Sequence, residues 1–200
     1  MRAYKKKRLE NAIAYMIKIQ THFSGQRAFQ TFIYSYLALI DFKALKEAGK
    51  PVFDLDYVAT IMGPVPIELD DNRDKIVDDE NYFDAIKLVR DQEGNYWYAC
   101  KQEPDLDYLS DYEIELIEAT VEEFAGKGIK TTSEEVVDAS CVRIRAWHKA
   151  WENRGDCGRV PIYPLHTFID LLQKKEEEFT PVEETALYYE AMKKSQILPS

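Results

Sequence analysis

The residues that could carry nucleophilic or metal chemistry are few, and they stand apart. The 200-residue sequence contains three cysteines and three histidines, at Cys100, Cys141, Cys157, His22, His148 and His166. No two of them form an H-x-x-x-H or C-x-x-C pair, which is the ligand spacing typical of zinc sites. Runs of carboxylates are more typical of a solvated face than of a metal site. We therefore predict no metal and no cofactor, and the odd number of scattered cysteines indicates free thiols.

One cysteine–histidine pair lies close in the sequence. Cys141 and His148 are seven residues apart, so on one continuous helix they would share a side but stand about two turns apart. That separation is too large for the hydrogen bond that an activated thiol needs. A buried thiol and an ordinary histidine are the simpler interpretation, and we predict no catalytic residues. An enzyme whose catalytic groups meet only in the fold stays a minor alternative.

The stretch YVATIMGPVP, residues 57–66, crowds a glycine and two prolines together. A phosphate-binding loop needs several glycines followed by Lys and Ser or Thr, whereas this stretch has one glycine, and its prolines lack an N–H. Proline also fixes its own φ and keeps the preceding residue out of the helical region. We predict a rigid corner here, in which Gly63 adopts a conformation costly for other residues.

Charge and composition exclude several classes of protein. The chain has 26 basic and 36 acidic residues, a net charge of −10, so it is a poor candidate for binding nucleic acid. No run of about 18 apolar residues predicts a membrane span. The N-terminus lacks the apolar segment of a signal peptide, and free cysteines suit a reducing compartment. We expect a cytoplasmic protein.

Hydrophobic periodicity places these residues on a mainly helical framework. Two apolar stripes predict helices that end near Gly25 and Gly49. Two Ser/Thr-x-x-Glu patterns, starting at Ser110 and Thr132, predict capping boxes at the starts of two more helices, the second running to about residue 139. Trp147 and Trp151 are four apart and should share a helix face.

The remaining segments predict a small amount of sheet and a separate tail. Residues 57–62 favour a strand, and residues 85–101 favour a hairpin turning at QEGN. Apolar residues at 165, 168, 169 and 172 predict another helix, and from residue 174 the chain becomes polar. We predict a mainly α (α+β) fold, a compact multi-helix domain with a small β-hairpin or short sheet. Residues 1–173 would form the domain and residues 174–200 a polar helical extension.

The order of segments resembles the Panacea domain of the SocA-like antitoxin family, which also occurs in phage-associated proteins. The resemblance covers about residues 8–173. It begins in FIYSYLALIDFKALKEAGKPV and continues in YLSDYEIELIEATVEEF and in TTSEEVVDAS with AWHKAWENRG. The family's Tyr-x-Ala-x-x-x-Gly-Pro-Val-Pro signature fits six residues: Tyr57, Ala59, Gly63, Pro64, Val65 and Pro66. Where the family has Ser-His, this chain has Ser140-Cys141, so any role of that histidine is missing here.

The resemblance implies a non-enzymatic antitoxin that binds a protein toxin encoded beside it and neutralises the toxin by direct contact. The alternative on the same fold is an adaptor that delivers the toxin to an ATP-dependent protease, or a phage-related regulatory binding protein. No zinc ribbon or added helix-turn-helix accompanies the domain, so the resemblance does not imply DNA binding.

The residues expected to contact a partner are large aromatic side chains, since interface energy concentrates in Trp, Tyr and Arg. We predict contacts at Trp147, Trp151 and Tyr163, provided that they lie at the surface. If they are buried they belong to the core, and the contact lies elsewhere, for example near residues 96–98. The acidic net charge would favour encounter with a basic toxin.

Overall fold

Residues 2–126 and 131–195 are described by the structure, which is a computed structural model. The helices are α1 Ala3–Ser24, α2 Gln30–Ala48, α3 Ile67–Asp70, α4 Arg73–Asp78, α5 Asp111–Ala125, α6 Ser133–Arg143, α7 Arg145–Glu152 and α8 Pro181–Ser195. The strands are β1 Ala28–Phe29, β2 Tyr57–Thr60, β3 Gly63–Pro66, β4 Ile86–Arg90, β5 Tyr96–Cys100 and β6 Val160–Pro161. The predicted mainly α fold with small sheets is confirmed.

Helix α2 is the centre of the structure. Of its 19 residues, 14 are buried, so it is covered on nearly all sides, as expected of a core helix. Helices α5, α6 and α8 and strand β3 all pack against it, and α1 packs on α5. Both long helices end as predicted, with Gly25 and Gly49 in the left-handed conformation that closes a helix.

Two antiparallel sheets of three strands flank this helical core. The first has the order β1-β5-β4, and its β4–β5 hairpin is the one predicted over residues 85–101. The second has the order β3-β2-β6. In the second sheet β2 and β3 form a hairpin whose two-residue turn is Ile61–Met62, with Val58 opposite Val65 and Ala59 opposite Pro64.

The prediction of a corner at GPVP is wrong in its form, because these four residues are a buried strand, β3, at the edge of its sheet. The chain reverses one step earlier, at Ile61–Met62. The N–H of Ile162 on the β6 side donates to the Tyr57 carbonyl at 2.9 Å, so Tyr57 points its polar groups away from β3. By the alternation of antiparallel pairs, Pro64 and Pro66 then occupy positions without ladder bonds. Because proline has no N–H, the outer edge of β3 can be buried without leaving a backbone donor unsatisfied.

Gly63 does adopt the predicted conformation, with φ +88°. It also lies against α6, since a Cβ at this position would stand 3.1 Å from Ser140 Oγ and 3.5 Å from Cys141 Sγ. Ser140 is fully buried, and its hydroxyl donates to the Val137 carbonyl at 2.7 Å. Gly63 therefore meets two requirements at once, a left-handed backbone and a close approach of strand to helix.

The two predicted capping boxes are confirmed at Ser110 with Glu113 and at Thr132 with Glu135. Helix α6 runs to Arg143, beyond the predicted end near residue 139. The helix predicted over residues 165–172 is wrong. The segment forms two 3-10 turns, Pro164–Thr167 and Leu171–Gln173, because Asp170 between them has φ +54° and interrupts any continuous helix.

The predicted C-terminal extension contains α8, which is docked on the rest of the structure. Ala186 is buried, and Thr185 lies against Gly49 at the end of α2 so closely that a Cβ on that glycine would meet it at 2.6 Å. The Tyr189 hydroxyl donates to Asp54, and Lys193 lies 2.8 Å from Asp56. The division at residue 174 stays a prediction, and residues 1, 127–130 and 196–200 lie outside the described part. None of the helices described is long and apolar enough to cross a bilayer.

We expect Gly63→Ala to lower the free energy of unfolding by about 2–3 kcal/mol, through backbone strain plus the contact with Ser140. Gly94→Ala is a matched control, because Gly94 has the same φ of +88° but nothing lies within 4 Å of where its Cβ would stand. It should lose only the strain contribution, about 1 kcal/mol. Urea denaturation of both variants measures the difference, and equal losses would contradict the close packing of β3 on α6.

Candidate functional site

The signature residues of β2 and β3 are joined to α2 by one buried carboxylate, Asp41. Its Oδ1 accepts the Phe53 N–H at 2.6 Å, and its Oδ2 accepts the Tyr57 hydroxyl at 2.9 Å and the Leu55 N–H at 3.5 Å. Asp41 is 2% exposed, and Tyr57 is also buried. The carboxylate therefore fixes where the chain leaves α2 and where the β2–β3 hairpin begins.

The protonation of this pair follows from its burial. Burial raises the pKa of Asp41 to about 6, although the hydrogen bonds from Phe53 and Tyr57 act in the opposite direction. Burial and the neighbouring carboxylate raise the pKa of Tyr57 well above its ordinary value, so the phenol stays neutral. Because both side chains are buried, the pair holds the start of the β2–β3 hairpin against α2 and is not exposed to a substrate.

The cysteine at the place of the family's histidine has little nucleophilic character. Cys141 is half-buried, and burial together with nearby Asp138 raises the pKa of its thiol to about 11. His148 lies on α7, which is separated from α6 by the break at Ile144. Both residues lie in the described part of the chain, and no hydrogen bond joins them there. The structure does not bring these two residues together as a catalytic pair.

No metal centre is found in the described part of the chain. There, no group of three His, Cys, Asp or Glu side chains is placed to hold an ion, and Cys100, Cys141 and Cys157 are free thiols.

The predicted aromatic contacts fall into three different environments. Trp147 is 7% exposed and packs in the core, so the condition for a surface contact is not met and it belongs to the core. Trp151 is half-buried, stacked on Trp147 at 5.6 Å and covered by the Arg154 guanidinium at 4.2 Å. Tyr163 is 64% exposed, with its ring 5.7 Å from that of His166. Helical spacing correctly placed the two tryptophans together, but it carried no information on which side of α7 is covered.

The tip of the β2–β3 hairpin is an apolar feature that was not predicted from the sequence. Ile61 is 79% exposed and Met62 is 54% exposed, although both are apolar and form a two-residue turn. Such turns favour Gly, Asn and Asp, whose backbone fits them at low cost. Two apolar side chains directly before the GPVP strand are the signal that could have located this tip.

A second surface feature is a groove of about 880 Å³ between α2, α5, the α6–α7 junction and the start of α8. Leu39 and Phe42 of α2 line it from one side, and Ile144 and Phe168 line it from the other. Most of these apolar side chains are largely buried, so they form its floor. The hairpin tip and this groove both offer apolar contacts on the described surface.

Comparison with known families gives one match. The model of the family described as "Antitoxin SocA-like, Panacea domain" matches residues 36–140. This range begins inside α2, holds both strands of the signature hairpin and α5, and ends at Ser140 on α6. Neither a curated protein nor a solved structure matches the chain.

The raised pKa of Asp41 predicts how the free energy of unfolding depends on pH. Between pH 4 and pH 6 the folded state holds a proton on Asp41 that the unfolded chain releases, so this group's contribution falls as pH rises and levels off above about pH 6. We expect the unfolding free energy of the wild type, relative to Asp41→Asn at each pH, to fall by about 2–3 kcal/mol across that range.

Asp84→Asn provides a control of opposite sign. The hydrogen bond from Lys7 lowers the pKa of Asp84, so the wild type should gain stability relative to that variant as pH rises through the acid range. Urea unfolding at half-unit pH steps measures both differences. A flat or rising difference for Asp41→Asn would show that its carboxyl is not held protonated in the fold.

Proposed function

The chain belongs to the SocA-like antitoxin family with a Panacea domain, and we propose that it is an antitoxin that binds a protein toxin and neutralises it by direct contact, without catalysing a reaction. The match covers residues 36–140, which include the hairpin and its supports on α2 and α6.

The observation that carries the contact is the apolar hairpin tip. Ile61 and Met62 are exposed, yet they sit on a hairpin held rigidly from both sides. On one side Tyr57 is bonded to Asp41, and on the other Gly63 lies against Ser140. A rigid element that presents apolar side chains loses little conformational entropy on binding, which favours a strong contact over a small area.

Two of the predicted aromatic residues extend this proposal. Tyr163 is the exposed one, and it follows β6, whose pairing of Val160 with Ala59 and Pro161 with Val58 places Tyr163 beyond the end of β2 opposite to the tip. Trp151 offers one half-buried ring in its stack between Trp147 and Arg154. We propose Tyr163 as a peripheral contact and Trp151 as a support for that surface, with the tip residues as the main anchor.

We expect the double variant Ile61→Asp, Met62→Asp to weaken toxin binding by about 100-fold, or about 3 kcal/mol. The toxin is the product of the adjacent gene, which should be lethal when expressed alone and tolerated when co-expressed with this protein. Isothermal titration with the purified partner gives the affinity, and circular dichroism checks that the variant folds.

The matched control is Tyr188→Asp, Met192→Asp on α8, which changes two exposed apolar side chains, 69% and 43% exposed, far from the tip in sequence. It should leave binding within about threefold. A neighbouring product that is harmless alone would contradict the antitoxin function. Toxin that disappears only when an ATP-dependent protease is present, with no stable complex, would favour the adaptor alternative over direct neutralisation.

A further inference from the structure

The groove beside α2 carries a charge opposite to that of the protein as a whole. Five cationic side chains line it, Lys43, Lys46, Arg143, Arg145 and Lys174, against three carboxylates, Glu47, Glu123 and Glu183. The complete chain has a net charge of −10. The groove is therefore a local cationic feature of an acidic protein: it favours an acidic ligand, whereas the overall charge favours a basic partner.

Two of the five cations are already neutralised inside the protein. Arg143 Nη1 lies 2.8 Å from Glu123 Oε2, and Lys174 Nζ lies 2.6 Å from Glu183 Oε1. The other three cations, Lys43, Lys46 and Arg145, are exposed and have no ion-pair partner within 4 Å in the part of the chain that the structure describes. These three are free to bind carboxylates from outside.

The three free cations stand around an apolar floor. Lys43 and Lys46 are one turn apart on α2, next to the buried Leu39 and Phe42, while Arg145 begins α7 on the other side, next to the buried Ile144. Ile169 adds an exposed apolar side chain to the lining. Thr167 also lines the groove, and its buried hydroxyl has no hydrogen-bond partner among the described residues.

We propose that this groove binds an acidic, apolar segment of a protein partner, with aliphatic or aromatic side chains on the Leu39–Phe42–Ile144 floor and carboxylates on Lys43, Lys46 and Arg145. The volume lies within the range of about 300–1,000 Å³ typical of ligand-binding clefts. The proposal rests on the proposed function in one respect only, that the segment belongs to a protein.

A polyphosphate or nucleic acid fits the groove less well. Its charge is concentrated, whereas the lining of the groove mixes its cations with the carboxylates of Glu47, Glu123 and Glu183. The amino end of α8 is at the groove, but few of its amides are left for an anion: Pro181 has no N–H, the Glu183 N–H donates to Thr180 Oγ1 at 3.3 Å, and the preceding Thr180 N–H donates to Glu183 Oε2 at 2.8 Å. A peptide spreads its carboxylates along a chain and suits separated cations.

The groove is also built differently from the hairpin tip. Helices α2 and α5 from the matched range 36–140 supply one side, and residues 143–183 supply the other. The groove therefore combines a family element with a part of the chain beyond the family match.

A library of random 12-residue peptides displayed on phage and selected on the purified full chain tests the proposal. We expect the enriched peptides to combine Asp or Glu with Leu, Ile, Phe, Trp or Tyr. The synthetic peptides should lose at least about tenfold in affinity when Lys43, Lys46 and Arg145 are all replaced by Glu, and when salt rises from about 50 to about 500 mM. Fluorescence anisotropy measures both changes.

Two matched controls distinguish binding in the groove from nonspecific electrostatic attraction and from nonspecific hydrophobic binding. Replacing Arg2, Lys87 and Lys194 by Glu changes the charge equally at exposed positions outside the groove lining, and it should cost less than about threefold. Ile169→Asp should weaken binding by about tenfold, whereas Leu172→Asp should not, because both side chains are exposed but only Ile169 lines the groove.

Failure of the groove proposal can be told apart from failure of the antitoxin function. No enrichment, basic or purely neutral peptides, or equal losses in groove and control variants would overturn the groove proposal alone. So would binding of ATP or a short oligonucleotide that the groove variant abolishes and the peptides do not compete. Peptide binding that follows the groove variants, together with a harmless neighbouring gene product, would leave the groove proposal standing and remove the antitoxin function.

Discussion

The rest of the structure depends on how one buried carboxylate is satisfied. Asp41 lies inside the core helix, where an unpaired carboxylate would be costly, and it takes its hydrogen bonds from the segment that follows α2. Those bonds draw residues 53–57 against the helix and set the start of β2. The same segment turns the carboxylate of Asp54 outward, where it meets Tyr189 and Lys193 of α8. One short connection thus holds the signature hairpin on its inner side and the C-terminal helix on its outer side.

Signals confined to a few neighbouring residues allowed much of the fold to be predicted. The capping boxes at Ser110 and Thr132 and the terminal glycines of α1 and α2 work within one helical turn, so the sequence displays them directly. The apolar spacing at 165–172 had the same local form but was misleading, since the left-handed Asp170 interrupts it. The GPVP strand needed knowledge of its partner β2, which local rules on proline do not contain.

The candidate site was less predictable, because burial and convergence are properties of the whole fold. Spacing placed Trp147 and Trp151 on one face, but only the packing of α7 shows that the first is covered. The groove gathers side chains from Leu39 to Glu183, and no sequence pattern connects such distant positions. Its cationic character was hidden by the net charge of the chain, which averages over opposite local surfaces.

The prolines of β3 have a consequence for how other molecules can approach the second sheet. An exposed sheet edge usually presents alternating donors and acceptors, and a foreign strand can pair with them and extend the sheet. At β3, helices α2 and α6 cover the buried edge and the donors of Pro64 and Pro66 are absent, so a visiting strand finds neither access nor a full set of partners, while the opposite edge, β6, is two residues long. Strand exchange and edge-to-edge aggregation are thereby blocked at this sheet. Recognition there must then proceed through side chains, which can change during evolution while the backbone pairing of the hairpin is kept.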